Sequence, residues 1–130
     1  MLAGIFVVAG VDTLRRPHPR ARTADFVLRR IAGLAPEPLR DPVTLVRINA
    51  AAQVGAGTLL AVGRAPRLAA LVLAGSLVPT TIGGHAFWRQ DDPAQRMQQL
   101  THFLKNTAIL GGLLLAALEG LGRPRPPRRG

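Results

Sequence analysis

The sequence predicts an all-α fold, a transmembrane four-helix bundle with room for an interfacial helix in its first loop. Three observations support this. Apolar residues make up 48% of the 130 residues and the mean hydropathy is +0.20, yet the formal net charge is +10. The apolar residues form four stretches, and nearly all the arginines lie between and after them. A basic chain with nearly uncharged stretches of this kind is typical of a protein that crosses a bilayer.

The basic residues are concentrated in two polar segments. The first loop contains seven arginines and the C-terminal tail four: Arg15, Arg16, Arg20, Arg22, Arg29, Arg30 and Arg40, then Arg123, Arg125, Arg128 and Arg129. This distribution favours contact with anionic lipid headgroups. Nucleic-acid binding is disfavoured, because a binder spreads basic residues over a folded surface with interleaved aromatics, and this chain has four Phe, one Trp and no Tyr.

Cysteine is absent from the chain. Disulfide formation, thiolate nucleophiles and thiolate metal ligands are therefore excluded for this chain by itself. A redox role would require a bound cofactor or a partner protein.

The first apolar stretch is Met1–Leu14, interrupted only near its end by Asp12 and Thr13. Fourteen helical residues rise about 21 Å, which is shorter than the roughly 30 Å hydrocarbon core of a bilayer. The stretch has neither the basic start nor the small-residue cleavage site of a signal peptide. We interpret it as a first membrane helix, with a re-entrant or interfacial segment as the alternative.

Residues 15–42 form a polar connection that contains five prolines. One segment of it, Thr23–Leu34, can be helical, with Thr23 as a predicted N-cap and Gly33 as a terminator. Phe26 and Ile31 would face lipid and the arginines the headgroups, as in an amphipathic interfacial helix.

The second and third spans follow as a hairpin. Asp41-Pro42 opens the second span, which is predicted over Val43–Val62. It carries Asn49 and Gln53 four residues apart, which we interpret as polar groups that hydrogen-bond between packed helices. A tight turn over Gly63–Arg67 leads into the third span, which starts at Pro66 and ends near Gly84. Pro79 is expected to kink it.

The fourth span is predicted to start between Gln95 and Thr101 and to end near Leu121. Residues 1–122 then make one four-helix membrane domain, and residues 123–130 a disordered Arg/Pro tail. The arginine counts on the two sides of the bundle do not determine its orientation.

Polar residues cluster where the third and fourth spans meet. Thr81, His85 and Trp88 fall at i, i+4 and i+7 and hence on one face, and Gln98, His102, Lys105 and Asn106 form a stripe on the fourth helix. Two neighbouring helices would bring these sets together in a pocket for the head of a quinone or a lipid. Lysine and amide groups would donate hydrogen bonds, a histidine would relay a proton, and Trp88 would stack.

A purely structural interpretation stays open for the same residues. Lys105, the sole lysine, can extend to the headgroups, and Trp88 and the histidines can anchor the interface. Two histidines are too few for a metal site, so no metal ligands are predicted. Asp12 and Arg47 can form an ion pair, with Asp41 as the competing partner of Arg47.

The chain resembles the DoxX family of small bacterial multi-pass membrane proteins. The segments that carry the resemblance are Ala3–Gly10, Gln53–Leu60, Gly63–Arg67, Leu77–Thr81, His85–Trp88, Gln98–Asn106 and Ala108–Leu114. The resemblance implies a four-helix integral membrane protein. It also implies a link to quinone-reducing oxidoreductases, or to membrane complexes that handle oxidative or thiol stress.

These observations lead to a membrane subunit or scaffold that binds a quinone or a lipid headgroup. A quinone-linked oxidoreductase subunit is the alternative, and a small-molecule transporter is the third reading. The sequence has no catalytic motif of its own. The expected surroundings are the lipid bilayer of the cell inner (plasma) membrane and protein partners in a membrane complex, without nucleic acid.

Overall fold

The computed structural model describes residues 1–31, 33–34 and 36–119. Every regular element in these residues is helical. The α-helices are α1 (Leu2–Arg15), α2 (His18–Ile31), α3 (Pro42–Ala61), α4 (Pro66–Gly84) and α5 (Pro93–Glu119), with short 3₁₀ turns at Glu37–Leu39 and Phe87–Arg89. The predicted helical bundle is therefore confirmed. The expected end of the fourth helix near Leu121 and the tail 123–130 lie outside the described residues.

Three of the helical segments are long and apolar enough to cross a membrane. They are Pro42–Ala61, Pro66–Arg89 and Pro93–Glu119. The first helix, α1, has 14 residues and is shorter than these. It belongs to the bundle through its packing against α3.

The contact between α1 and α3 depends on two glycines. A Cβ on Gly10 would lie 2.7 Å from Cγ2 of Val54, and a Cβ on Gly57 would lie 3.0 Å from Cγ2 of Val7. Since Gly10 faces the middle of α3 and Gly57 faces the start of α1, the two helices are antiparallel. Small residues allow the helix backbones to approach this closely.

The start of α3 shows why the sequence signals there were informative. The Asp41 carboxylate accepts hydrogen bonds from the Thr44 backbone N–H (2.8 Å) and the Thr44 hydroxyl (2.6 Å), and Pro42 occupies the first turn. The hydrogen bonds from Thr44 hold the pKa of the Asp41 carboxyl below its usual value. At the other end of α3 the chain turns through Gly63 (φ 70°) and Ala65 (φ 47°) into Pro66.

Two helix boundaries differ from the prediction: α5 begins at Pro93 and not between Gln95 and Thr101, and α2 begins earlier than expected. The α2 helix begins at His18 and not after Thr23, because the Pro17 carbonyl accepts the first helical bonds from Arg20 and Ala21. Pro19 is tolerated in the first turn, where no intrahelical N–H is needed. The side chains of Phe26 and Ile31, expected to face lipid, lie outside the described part. The kink expected at Pro79, which lies inside α4, stays a prediction.

One half of the bundle is densely packed, and α2 covers the other half. The covered half contains the C-terminal ends of α1 and α4 and the starts of α3 and α5, and we call it the α2 end. The packed core lies mostly toward the opposite end, around the Gly63–Ala65 turn, with fully buried Ala70, Leu73 and Leu113. Helix α2 packs across α3 and α4 with Ala24 and Leu28 buried. It is therefore part of the fold and not only a surface segment.

Candidate functional site

A cavity of about 620 Å³ lies between the helices in the half of the bundle near the α2 end. All five α-helices, together with the residue after α4, contribute to its lining. The lining residues are Ile5, Phe6, Ala9, Thr13, Arg20, Ala24, Val27, Leu45, Val46, Asn49, Gln53, Leu77, Pro79, Thr80, Gly84, His85, Lys105, Asn106 and Ile109. The walls are thus mainly apolar, with a few amide, hydroxyl and basic groups. This volume and this mixture are typical of small-molecule sites, which span roughly 300–1,000 Å³.

Arg20 lines the cavity from α2 and is tied to α1 by an ion pair. Its guanidinium lies 3.3 Å from Oδ2 of Asp12, and the two side chains are 45% and 57% exposed. The cavity therefore reaches the protein surface beside this pair. Such an exposed pair contributes little to stability.

His85 is fixed where α4 ends. Its Nδ1 lies 2.9 Å from Oε1 of Gln99, and its ring stacks on that of His102 with the ring centroids 5.1 Å apart. Because an amide oxygen only accepts hydrogen bonds, Nδ1 carries a proton, and Nε2 of a neutral ring is left as an acceptor. Both contacts come from α5, so His85 holds the end of α4 against that helix.

A polar relay crosses from α3 to α4 halfway along both helices. Gln53 Nε2 donates to Ser76 Oγ (2.8 Å), and Ser76 Oγ donates to Asn49 Oδ1 (2.7 Å). Gln53 and Ser76 are each 8% exposed. Hydrogen bonds between polar side chains hold membrane helices together, since lipid offers them no partner. Both amides also border the cavity.

A second relay joins α5 to α4. Asn106 Nδ2 donates to Thr81 Oγ1 (3.0 Å), and that hydroxyl donates to the Leu77 carbonyl one turn earlier (2.8 Å). Asn106 is buried, whereas its neighbour Lys105 is exposed and still borders the cavity. Among the described residues Lys105 has no hydrogen-bond or ion-pair partner. Its ammonium is therefore available to a ligand or to headgroups.

The structure gathers some of the predicted site residues and separates others. His85, Lys105 and Asn106 line one cavity, and Asn49 and Gln53, expected only as packing residues, line it too. The remaining three lie outside that lining. His102 stacks behind His85; Gln98 is exposed; and Trp88, 53% exposed, packs edge-on against Phe87 and Phe103.

The separation of Trp88 has a simple cause. Helix α4 ends at Gly84, so the helical spacing assumed between Thr81, His85 and Trp88 does not continue to Trp88. Trp88 belongs to the 3₁₀ turn and joins an aromatic cluster with ring centroids 5.1–6.1 Å apart. Stacking of Trp88 on a ligand in the cavity is not supported by this placement.

Sequence reasoning missed five polar residues that line the cavity or hold a lining residue: Thr13, Arg20, Ser76, Thr80 and Gln99. Arg20 was counted only as one of many loop arginines, and its position toward the cavity depends on the early start of α2. Ser76 was inconspicuous within an apolar helix. Gln99 was passed over for Gln98, because a helical stripe defined by His102 and Lys105 does not distinguish between adjacent glutamines.

Arg47 forms an ion pair with neither Asp12 nor Asp41, the two partners considered for it. Asp12 contacts Arg20, and Asp41, the competing partner, accepts the hydrogen bonds that cap α3. Within residues 1–31, 33–34 and 36–119, no group of three or more His, Asp or Glu side chains is placed to hold a metal ion.

Three apolar helices long enough to span a bilayer, around a cavity bordered by polar groups, define a small polytopic α-helical membrane protein. The family model for DoxX matches residues 1–86, about two thirds of the chain. The chain belongs to the DoxX family. The match covers α1 to α4 and His85, whereas α5 follows it. No curated protein and no solved structure matches the chain.

Proposed function

We propose that the protein is a membrane subunit or scaffold that binds the head of a quinone or a lipid in the cavity between its helices. One observation carries the proposal: five polar residues from three separate parts of the sequence border the same, mostly apolar space. These are Asn49, Gln53, His85, Lys105 and Asn106. An amphipathic molecule matches such a lining, since its apolar part meets the walls and its polar part meets the few hydrogen-bonding groups.

The available hydrogen-bonding atoms define a role for each polar residue. Asn49 uses Oδ1 to accept from Ser76, so its Nδ2 can donate to a ligand carbonyl. Lys105 supplies a positively charged donor. The His85 imidazole can exchange a proton with a ligand through Nε2, while the hydrogen bond between Nδ1 and Gln99 keeps the ring oriented.

A quinone-linked oxidoreductase subunit is the second candidate. The observation in its favour is the imidazole of His85 at the cavity wall, where a proton could be exchanged with a reduced quinone. The chain has no cysteine, so electrons would come from a bound cofactor or from a partner in a membrane complex. A small-molecule transporter is the third reading. For any of the three, we place the protein in the inner (plasma) membrane of a bacterial cell.

The cavity proposal is tested by native mass spectrometry of the detergent-extracted protein. The wild type is expected to carry a small molecule, and Lys105→Ala and His85→Ala are expected to lose most of it. Gln98→Ala is the matched control, because Gln98 is exposed on α5 and lies outside the cavity lining. It should keep the wild-type load.

The nature of the retained molecule separates the candidates. A quinone favours the oxidoreductase subunit, and a lipid favours the scaffold. Equal loads in the wild type and in both cavity variants would contradict the proposal. In that case Lys105 only extends to the headgroups.

A further inference from the structure

We propose that the cavity selects an amphiphile with an anionic head, of the chemistry of a lipid phosphate, and that Arg20 and Lys105 are the residues that recognise it. This inference rests on the proposed function and specifies its ligand. It starts from the signs of the charges around the cavity. The ionisable lining residues that the structure describes are Arg20, His85 and Lys105, all of them basic.

The two permanent cations reach the cavity from different helices, Arg20 from α2 and Lys105 from α5. A neutral quinone head would offer no counter-charge to Lys105, whose ammonium has no partner among the described residues, and would leave Arg20 with Asp12 alone. A phosphate has enough acceptor oxygens to satisfy a guanidinium and an ammonium at once.

Asp12 competes with such a ligand for the guanidinium of Arg20. The carboxylate holds the guanidinium at 3.3 Å, but it lies outside the lining of this cavity. The pair is half-exposed, so water and salt weaken it, and a phosphate can replace the carboxylate at little cost. Asp12 therefore acts as a counter-ion that holds Arg20 at the opening of the empty cavity.

Other lining groups suit the part of a lipid that follows its head. Asn49 Nδ2 has no partner among the described residues and can donate to an ester carbonyl, while Phe6, Leu45 and Ile109 offer apolar surface to the start of a chain. The cavity thus combines exposed cations with an amide donor and apolar walls. A glycerophospholipid carries the matching groups: an anionic head, ester carbonyls and acyl chains.

The test uses delipidated protein in a neutral maltoside detergent, with binding read by native mass spectrometry. The probes are dihexanoyl phosphatidic acid, dihexanoylglycerol (the same molecule without phosphate) and inorganic phosphate. Phosphatidic acid should bind at least about tenfold more tightly than dihexanoylglycerol, since a charge-assisted contact of this kind is worth roughly a factor of ten.

Variants assign the effect to named residues. Arg20→Gln and Lys105→Gln should each weaken phosphatidic acid binding about three- to tenfold and leave dihexanoylglycerol unchanged. Asp12→Asn should strengthen phosphatidic acid binding about two- to threefold, because Arg20 loses its competing partner. The charge-matched controls are Arg22→Gln on α2, Arg96→Gln on α5, and Asp25→Asn on α2. Each control makes the same change in net charge as the variant it matches, but at a residue outside the cavity lining. The controls should leave phosphatidic acid binding unchanged.

The possible results separate a failure of this inference from a failure of the proposed function. Equal binding of phosphatidic acid and dihexanoylglycerol would overturn the anionic selectivity and leave the amphiphile site in place. Inorganic phosphate that binds as tightly as phosphatidic acid would overturn the lipid as ligand. Failure of both amphiphiles to bind, with no molecule retained from the membrane, would overturn the cavity proposal itself.

Discussion

Gly10 of α1 lies directly against the backbone of Ala50 of α3. A Cβ placed on Gly10 would stand 2.9 Å from the Ala50 carbonyl oxygen. Real Cβ atoms do not approach a backbone oxygen this closely, so the glycine is required by the contact and not by its conformation. The short helix α1 is therefore positioned by backbone proximity to α3. Because Ile5, Phe6, Ala9 and Thr13 of α1 line the cavity, this contact also positions one cavity wall.

Gly10→Ala should destabilise the protein. The added methyl group overlaps Val54 and Ala50, and overpacking of this kind costs about 1–3 kcal/mol. Thermal unfolding in detergent, followed by circular dichroism, measures the effect. Gly4→Ala is the control on the same helix, since a Cβ there meets nothing within 4 Å. It should be neutral or slightly stabilising, because alanine favours a helix more than glycine does. Equal effects of the two variants would contradict the close contact.

Ser76→Ala should weaken the α3–α4 contact. The change removes the hydroxyl that accepts from Gln53 and donates to Asn49, and a hydrogen bond between membrane helices contributes on average about 0.6 kcal/mol. Thr58→Val is the matched control, because the Thr58 hydroxyl bonds only to the Val54 carbonyl of its own helix. We expect a lower unfolding temperature for Ser76→Ala than for the control. An unfolding temperature that is lower for Thr58→Val than for Ser76→Ala would contradict a stabilising role of these hydrogen bonds.

Asp41 should make stability depend on pH at the acid end. Hydrogen bonds from Thr44 lower the pKa of its carboxyl in the folded state, so the unfolded state binds this proton more readily. The stabilisation is then complete above the usual aspartate pKa of 3.8 and is lost as the pH falls through the lower folded value. Asp41→Asn retains an acceptor but does not titrate. Unfolding temperatures of the two proteins, compared between pH 6 and pH 3, should converge as the pH falls. A constant difference across this range would contradict the prediction.

Trp88 offers a direct measure of depth in the bilayer. It is the only tryptophan and is 53% exposed in the turn after α4. Reconstituted into vesicles with brominated lipids, it should be quenched most by bromines near the headgroups, since tryptophan prefers that layer. The reference is a double variant, Trp88→Phe with Leu71→Trp. Its single tryptophan then lies at an exposed position within α4 and gives the fluorescence that is quenched. Its quenching should be strongest with bromines deeper in the chains. Identical depth profiles for the two proteins would contradict the assignment of α4 as a span.

Much of the fold was accessible from the sequence, because its signals are local. Pro42 and Pro66 mark helix starts, and Asp41 caps α3; each acts within one turn of its own position. The beginning of α2 was misjudged because Thr23 is also a good capping residue. The decisive group was the Pro17 carbonyl, which any residue could have supplied. Local patterns therefore located the helices better than their exact ends.

The site was less accessible, because it depends on contacts across the bundle. Lys105 and His85 stood out as ionisable residues next to apolar stretches. Nothing local to Arg20 separates it from Arg22, yet only Arg20 borders the cavity. In the same way Gln99 and not Gln98 meets His85, a difference set by the rotation of α5 about its axis. Such rotations follow from packing against other helices, which a linear pattern does not contain.

The asymmetry between the two halves of the bundle limits what the protein can do with a guest molecule. The half around Leu73 and Leu113 is filled, whereas the cavity lies in the half near the α2 end. A guest molecule in the cavity therefore lies in the half of the bundle that faces one leaflet. Occupancy then reports the composition of a single leaflet, and exchange between leaflets would need the filled half to come apart.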